Sequence, residues 1–188
     1  MPRTFPAISI LEVERKFRSL ARIIHNEYFD RSSLLSLAGI WVRQRNGQWE
    51  AKVKKGGNFT NSRFEELLDP RDISKCIKDL TGIGYTEQET FGLERIAILS
   101  TTRKAWVADN EFRIVLDTID FGHTVGEVKL QHQVNFEATS GLSIEQQKQR
   151  SMQAMDDRVA KFMERYAWAF CQGVPKGKLT AYFERNAI

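Results

Sequence analysis

Five segments of this chain set charged and apolar residues at alternate positions, and no other pattern restricts its fold as strongly. The first is Ile10-Leu11-Glu12-Val13-Glu14-Arg15-Lys16-Phe17. On a strand, alternate side chains share a face, so Glu12, Glu14 and Lys16 point one way and Leu11, Val13 and Phe17 the other. A single half-buried strand of this kind ordinarily turns its charges to water. The design recurs, however. Trp41, Arg43 and Arg45 alternate with Ile40 and Val42, and Glu50, Lys52 and Lys54 with Trp49, Ala51 and Val53. Arg113, Val115 and Asp117 alternate with Phe112, Ile114 and Leu116, and Glu127 and Lys129 with Val128 and Leu130. Strands with one ionic and one apolar face predict a sheet curled around a charged interior, its apolar exterior covered by helices. An open sheet with a solvated charged face is the competing architecture.

The charged face carries a chemical demand. Two carboxylates about 7 Å apart at an effective dielectric near 20 repel by roughly 2 kcal/mol. Glu12 and Glu14 therefore call for a cation: a metal ion, Lys16 or an arginine from a facing strand. A closed interior of this kind suits a small polyanion held by lysines and arginines, beside a metal held by carboxylates.

The remaining elements read as one domain spanning residues 1–188, without a linker or internal repeat. Ile23 to Phe29 and Arg63 to Leu68 read as strands, and Lys55-Gly56-Gly57-Asn58 as a turn. Asp69-Pro70 opens a short helix with Ile73, Ile77 and Leu80 on one stripe, ended by Gly82 and Gly84. Thr90 to Leu99 and Lys104 to Ala108 read as two strands, with a hairpin turn at Asp109-Asn110. Ser143 and Gln146 form a capping-box pattern that opens a long helix, closed by Gly173 and Pro175. Its stripe of Met152, Met155, Val159, Phe162, Met163, Tyr166 and Phe170 is a core face, expected on the outside of the sheet. A last helix starts at Lys178.

A net charge of +4 and a pI near 9.1 favour small anions over an extended nucleic-acid tract. There is no basic block or nucleic-acid motif. His25, His123 and His132 form no recognisable catalytic motif. Cys76 and Cys171 are too few for a disulfide framework, so free thiols in a reducing compartment are expected. No apolar run is long enough to span a bilayer. The expectation is a soluble, cytoplasmic monomer without nucleic-acid or membrane partners.

The Glu-x-Glu-x-Lys of Glu12, Glu14 and Lys16 resembles the signature of the CYTH, or triphosphate tunnel metalloenzyme, superfamily. The rest of the chain resembles its thiamine-triphosphatase branch, through Tyr28-Phe29-Asp30, Trp41-Val42-Arg43-Gln44-Arg45, Trp49-Glu50-Ala51-Lys52, Glu66-Leu67, Arg103-Lys104-Ala105-Trp106, Leu116 to Gly122, Val125-Gly126-Glu127-Val128 and Lys178-Leu179. The matches are collinear over nearly the whole chain. The resemblance implies an α+β fold, an eight-stranded antiparallel closed β-tunnel with helices outside, that binds a triphosphate and hydrolyses it with a divalent metal. Mg2+ is the implied metal and Mn2+ the alternative. Lys16, Arg43, Arg45, Lys52, Arg103 and Lys178 then match phosphate-binding residues, with Lys178 at the tunnel mouth. Tyr28 and Lys52 match a pair proposed to activate the attacking water. Trp41 matches a tryptophan that stacks on thiamine, and a thiazolium over indole is a favourable cation–π pair.

Two positions depart from the family pattern. Val115 and Lys129 stand where acidic metal-site residues are expected, leaving Glu12, Glu14 and Glu127, with Asp117 as a substitute ligand. An ammonium in place of a carboxylate changes the local charge by two units. The leading reading is hydrolysis of thiamine triphosphate to thiamine diphosphate and phosphate. The alternative is a CYTH scaffold that binds a phosphorylated ligand without rapid hydrolysis, or acts on another substrate such as a prenyl diphosphate.

Overall fold

A computed structural model describes residues 22–134, 141–170 and 173–186. Glu12, Glu14 and Lys16 lie outside the described residues, as does Cys171. Seven strands and four α-helices follow in the order β1 (Arg22–Asp30), α1 (Leu34–Leu37), β2 (Ile40–Arg45), β3 (Gln48–Gly57), β4 (Ser62–Leu67), α2 (Pro70–Thr81), β5 (Glu94–Ala108), β6 (Phe112–Ile119), β7 (Thr124–Lys129), α3 (Ile144–Arg165) and α4 (Lys178–Asn186). The strands form one antiparallel sheet in the order β4-β3-β2-β1-β5-β6-β7.

Local chemistry sets the registers. Asn46 and Gly47 both take positive φ, 48° and 81°, as a two-residue hairpin turn requires. That turn pairs Arg45 with Gln48, Arg43 with Glu50 and Trp41 with Lys52. The sequence places a turn at Lys55–Asn58, but β3 runs through a bulge at Gly56 and turns later. Gly57 is held there by space: a Cβ would stand 2.0 Å from the Asn61 carbonyl oxygen. The two short strands expected between Thr90 and Ala108 are one fifteen-residue strand, β5, because it pairs first with β1 and then with β6. Thr90 and Phe91 instead belong to a short 3-10 segment before it.

The sheet is curled. Laid flat, its edges β4 and β7 would stand six strand spacings apart, roughly 29 Å. Yet Gln131, just past β7, donates from Nε2 to Glu66 Oε2 on β4 at 3.1 Å. Side chains bridge the two edges; no backbone pairing joins β4 to β7 among the described residues. The described residues thus form a curled seven-stranded half-barrel.

On the outer face, α1 and α2 cover β2 and β3, burying Leu35, Ile40, Val42, Ala51, Ile73 and Ile77 with Phe29 and Phe91. Trp49 packs between those two rings, at 4.8 and 5.0 Å. Asp69 caps α2 by accepting from Arg71 N, and Gly82 ends it at φ 75°. The expected outer covering is only partial on the other half, where Ile98, Trp106 and Leu116 stay at least 38 % exposed. The helices arise from the β1–β2 and β4–β5 connections, which confines them to the first half.

Helix α3 links the two halves. Lys148 pairs with Glu65 at 2.5 Å and Arg63 donates to Gln153 at 2.7 Å. Farther along, Phe162 stacks on Phe112 at 4.2 Å. The helix ends at Arg165, short of Gly173, where Tyr166 turns aside and donates to Asp109. Within the curl, Tyr28, Ala97, Leu99 and Ile119 make an apolar floor that receives Leu179 and Tyr182 of α4.

Candidate functional site

The inner face brings charged residues of six strands and α4 into one field. On β2 and β3, the Arg43 guanidinium donates twice to Glu50 Oε2, from Nη2 at 2.7 Å and Nε at 2.9 Å. Arg45 Nη1 reaches Glu50 Oε1 at 3.2 Å, so one carboxylate holds two arginines side by side. Arg43 Nη1 also donates to the buried Tyr28 hydroxyl at 3.4 Å, and Arg45 Nε to Asn26 Oδ1 at 3.3 Å. At the β3–β4 edge, Lys52 Nζ lies 3.0 Å from Glu66 Oε1.

The second concentration of charge lies on β5, β6, β7 and α4. Arg103 grips Asp117 with a two-bond fork, Nε to Oδ1 at 2.7 Å and Nη2 to Oδ2 at 2.6 Å. Lys178, the first residue of α4, adds a contact to Asp117 Oδ2 at 2.5 Å and approaches Glu127 Oε1 at 3.7 Å. Lys129 meets Glu127 Oε2 at 2.5 Å.

Electrostatics joins these groups. Burial lowers the Arg45 pKa, and the neighbouring charges of Arg43 and Arg103 lower it further against Glu50. Burial acts to raise Asp117, but hydrogen bonds from Arg103 and Lys178 prevail and hold it at about 2. Glu127 behaves alike: burial raises it, Lys129 and Lys178 pull it down, and it lies at about 2. Glu66 is lowered despite its burial by Lys52 first and then by Lys129 and Arg43, which stand on other strands. Curling of the sheet is what lets these side chains sense one another.

Arg43, Arg45, Lys52, Arg103, Lys129 and Lys178 thus face Glu50, Glu66, Asp117 and Glu127, six cations against four carboxylates. Fixed guanidinium forks and ammonium groups with an excess of positive charge can exchange carboxylate partners for phosphate oxygens. Five of the six sequence-predicted phosphate residues are brought together here; the sixth, Lys16, lies outside the described residues. Tyr28 and Lys52 both face inward, but Tyr28 bonds Arg43 and Lys52 pairs with Glu66. Trp41 is half-buried on the same face, edge-on to Phe64 at 5.6 Å. It borders a largely apolar cavity of about 150 Å³ with Tyr28, Ile96, Leu179 and Phe183.

The expected metal ligands fare differently. Both oxygens of Asp117 are taken by Arg103 and Lys178, and Glu127 is engaged by Lys129 and Lys178. Among the described residues no group of three His, Cys, Asp or Glu side chains could hold a metal. A divalent ion at these carboxylates would face two ammonium groups, so the described residues do not fit it. Residues that sequence reasoning did not place in the site are Glu50, Glu66, Asn26 and Gln131. Glu50 carried a readable signal, because Asn46-Gly47 fixes its pairing with Arg43. Gln131 carried none, since its contact depends on the curl.

No family model matches the chain. Thiamine-triphosphatase of Homo sapiens is 29% identical over 158 residues, which make up 65% of this chain and 69% of that protein. The structure of the PH1819 protein from Pyrococcus horikoshii OT3 superimposes with a TM-score of 0.52 at 13% identity, over 90% of this chain and 88% of that one. That likeness shows a shared fold. No helix among the described residues is long and apolar enough to cross a membrane. The sequence relative and the curled, inwardly charged sheet thus agree with the resemblance to the thiamine-triphosphatase branch of the CYTH superfamily.

Proposed function

We propose that the inner face binds the phosphate chain of an organic triphosphate and that the protein hydrolyses it, thiamine triphosphate to thiamine diphosphate and phosphate. The observation that carries this reading is the inward set of six cations against four carboxylates, on a chain related to thiamine-triphosphatase. Arg43, Arg45, Lys52, Arg103 and Lys178, with Lys16, hold the phosphates. Such transfer depends on positioning and charge stabilisation more than on covalent help from the protein. Water attacks the terminal phosphorus in line, and the bond to the bridging oxygen breaks. Tyr28 and Lys52 are the proposed pair that activates the water by orienting it, and its proton passes to the released phosphate. The apolar cavity beside Trp41 suits the organic group, with the indole stacked on a cationic ring. A requirement for Mg2+ or Mn2+ would rest on Glu12 and Glu14. The working protein is a cytoplasmic monomer acting on a small molecule.

A second reading is a scaffold that binds a phosphorylated ligand without rapid hydrolysis, or one that serves a prenyl diphosphate. The consumption of Asp117 and Glu127 by fixed cations favours it. Phosphate release from thiamine triphosphate, inorganic triphosphate, a nucleoside triphosphate and a prenyl diphosphate, with and without magnesium, separates the two. Preferential release from thiamine triphosphate supports the leading reading. Binding without release from any of them supports the second.

A further inference from the structure

We propose that Lys129 is itself a phosphate-binding residue, a fixed cation that lets this site hold a triphosphate without a divalent metal. The inference rests on the triphosphate reading and adds to it a residue and a metal independence. Lys129 is the last residue of β7 and shares the inner face with Glu127. Its side chain is 22 % exposed, and its one short ion pair is with Glu127 at 2.5 Å. An ammonium carries three donors, and that contact uses one. Around it the curl gathers Lys52 of β3 and Arg103 of β5, both cations, and Glu66 of β4. A half-buried ammonium among cations is under-neutralised, and an arriving polyanion relieves it.

The carboxylates tell the same story from the other side. A metal-dependent phosphate site keeps carboxylate oxygens free to bind the ion. Here Asp117 and Glu127 are occupied by Arg103, Lys129 and Lys178, all part of the protein. Among the described residues their negative charge already has partners, so the cation that these two carboxylates set against phosphate is the protein's own.

Calorimetric titration of inorganic triphosphate into the full chain tests this, once in EDTA and once in excess magnesium. The wild type should bind in both media with affinities within about threefold. Lys129→Gln should lose about tenfold or more in EDTA, while Lys129→Arg stays within about threefold of wild type; thermal melts verify that each variant is folded. Lys129→Met serves if the Gln variant does not fold. Wild-type binding only in magnesium overturns the inference and leaves the triphosphate reading standing. So does unchanged binding by folded Gln and Met variants in EDTA. No binding in either medium overturns the triphosphate reading and this inference with it.

Discussion

Arg43 and Glu50 show what single residues could reveal in advance. Period-two alternation put both on the charged face, and the Asn46-Gly47 turn fixed them opposite each other. Arg103 and Asp117 were harder. Their pairing passes through a three-residue turn at the end of a fifteen-residue strand, and Lys178 reaches Asp117 across 61 positions of chain only after α4 docks. The difference has an energetic consequence. Asp117 is fully buried and its partners Arg103 and Lys178 are largely so, and Asp117→Asn should strand two cations and lower stability by about 3 kcal/mol, read by urea denaturation. A change below about 0.5 kcal/mol would mean that the fork carries little load. For Trp41, stacking on a cationic ring is worth about 1–2 kcal/mol. Trp41→Ala should therefore raise KM for thiamine triphosphate about 5- to 30-fold and leave inorganic triphosphate nearly unaffected. Equal losses on both substrates would assign the indole to Phe64 and the fold.

At the scale of elements, strand identity was legible because alternation is local, but strand length was not. Nothing between Thr90 and Ala108 announces that one strand serves two neighbours, since the change from β1 to β6 as partner is a tertiary matter. The end of α3 was misplaced for a similar reason: the apolar stripe runs on to Phe170, but Tyr166 finds Asp109 and the rings of Tyr166 and Phe170 close on Phe162 outside the helix. The turn after β3 offers a sharp test. Gly57→Ala would drive a methyl group onto the Asn61 carbonyl and force the β3–β4 connection to open. It should cost about 2 kcal/mol or more, whereas Gly47→Ala, with open space around it, should cost only about 1 kcal/mol for its positive φ. Thermal melts of the two variants side by side check the order; a reversal would place the strain elsewhere.

Over the whole molecule, the curl was inferable from the number of ionic strand faces, and the collinear motifs pointed to the same branch as the thiamine-triphosphatase relative. The contacts that Lys178 makes with Asp117 and Glu127 were not inferable, because α4 must first dock, and neither was that of Gln131 with Glu66, which forms across the two edges of the sheet. The charged interior also makes stability depend on acid. Asp117 has a folded pKa of about 2 against an ordinary 3.8, so between these values the unfolded chain binds more protons than the native one. Its contribution, about 2 kcal/mol, is complete above the ordinary carboxylate range and vanishes as pH falls through about 2. Stability measured from pH 6 to pH 2 should fall accordingly, and the Asp117→Asn variant should lose that part of the slope. An identical slope in both proteins would remove Asp117 from the acid response.

The central claim is that one inward face of fixed cations holds the phosphate chain. A crystal structure of the protein with inorganic triphosphate bound, grown without added metal, tests it most directly. The account predicts phosphate oxygens within about 3 Å of Arg43, Arg45, Arg103, Lys52 and Lys129, with carboxylates such as Glu50 and Glu127 displaced from their present partners. Triphosphate bound on the outer face, or inside the curl only through a metal ion with those side chains unmoved, would contradict it.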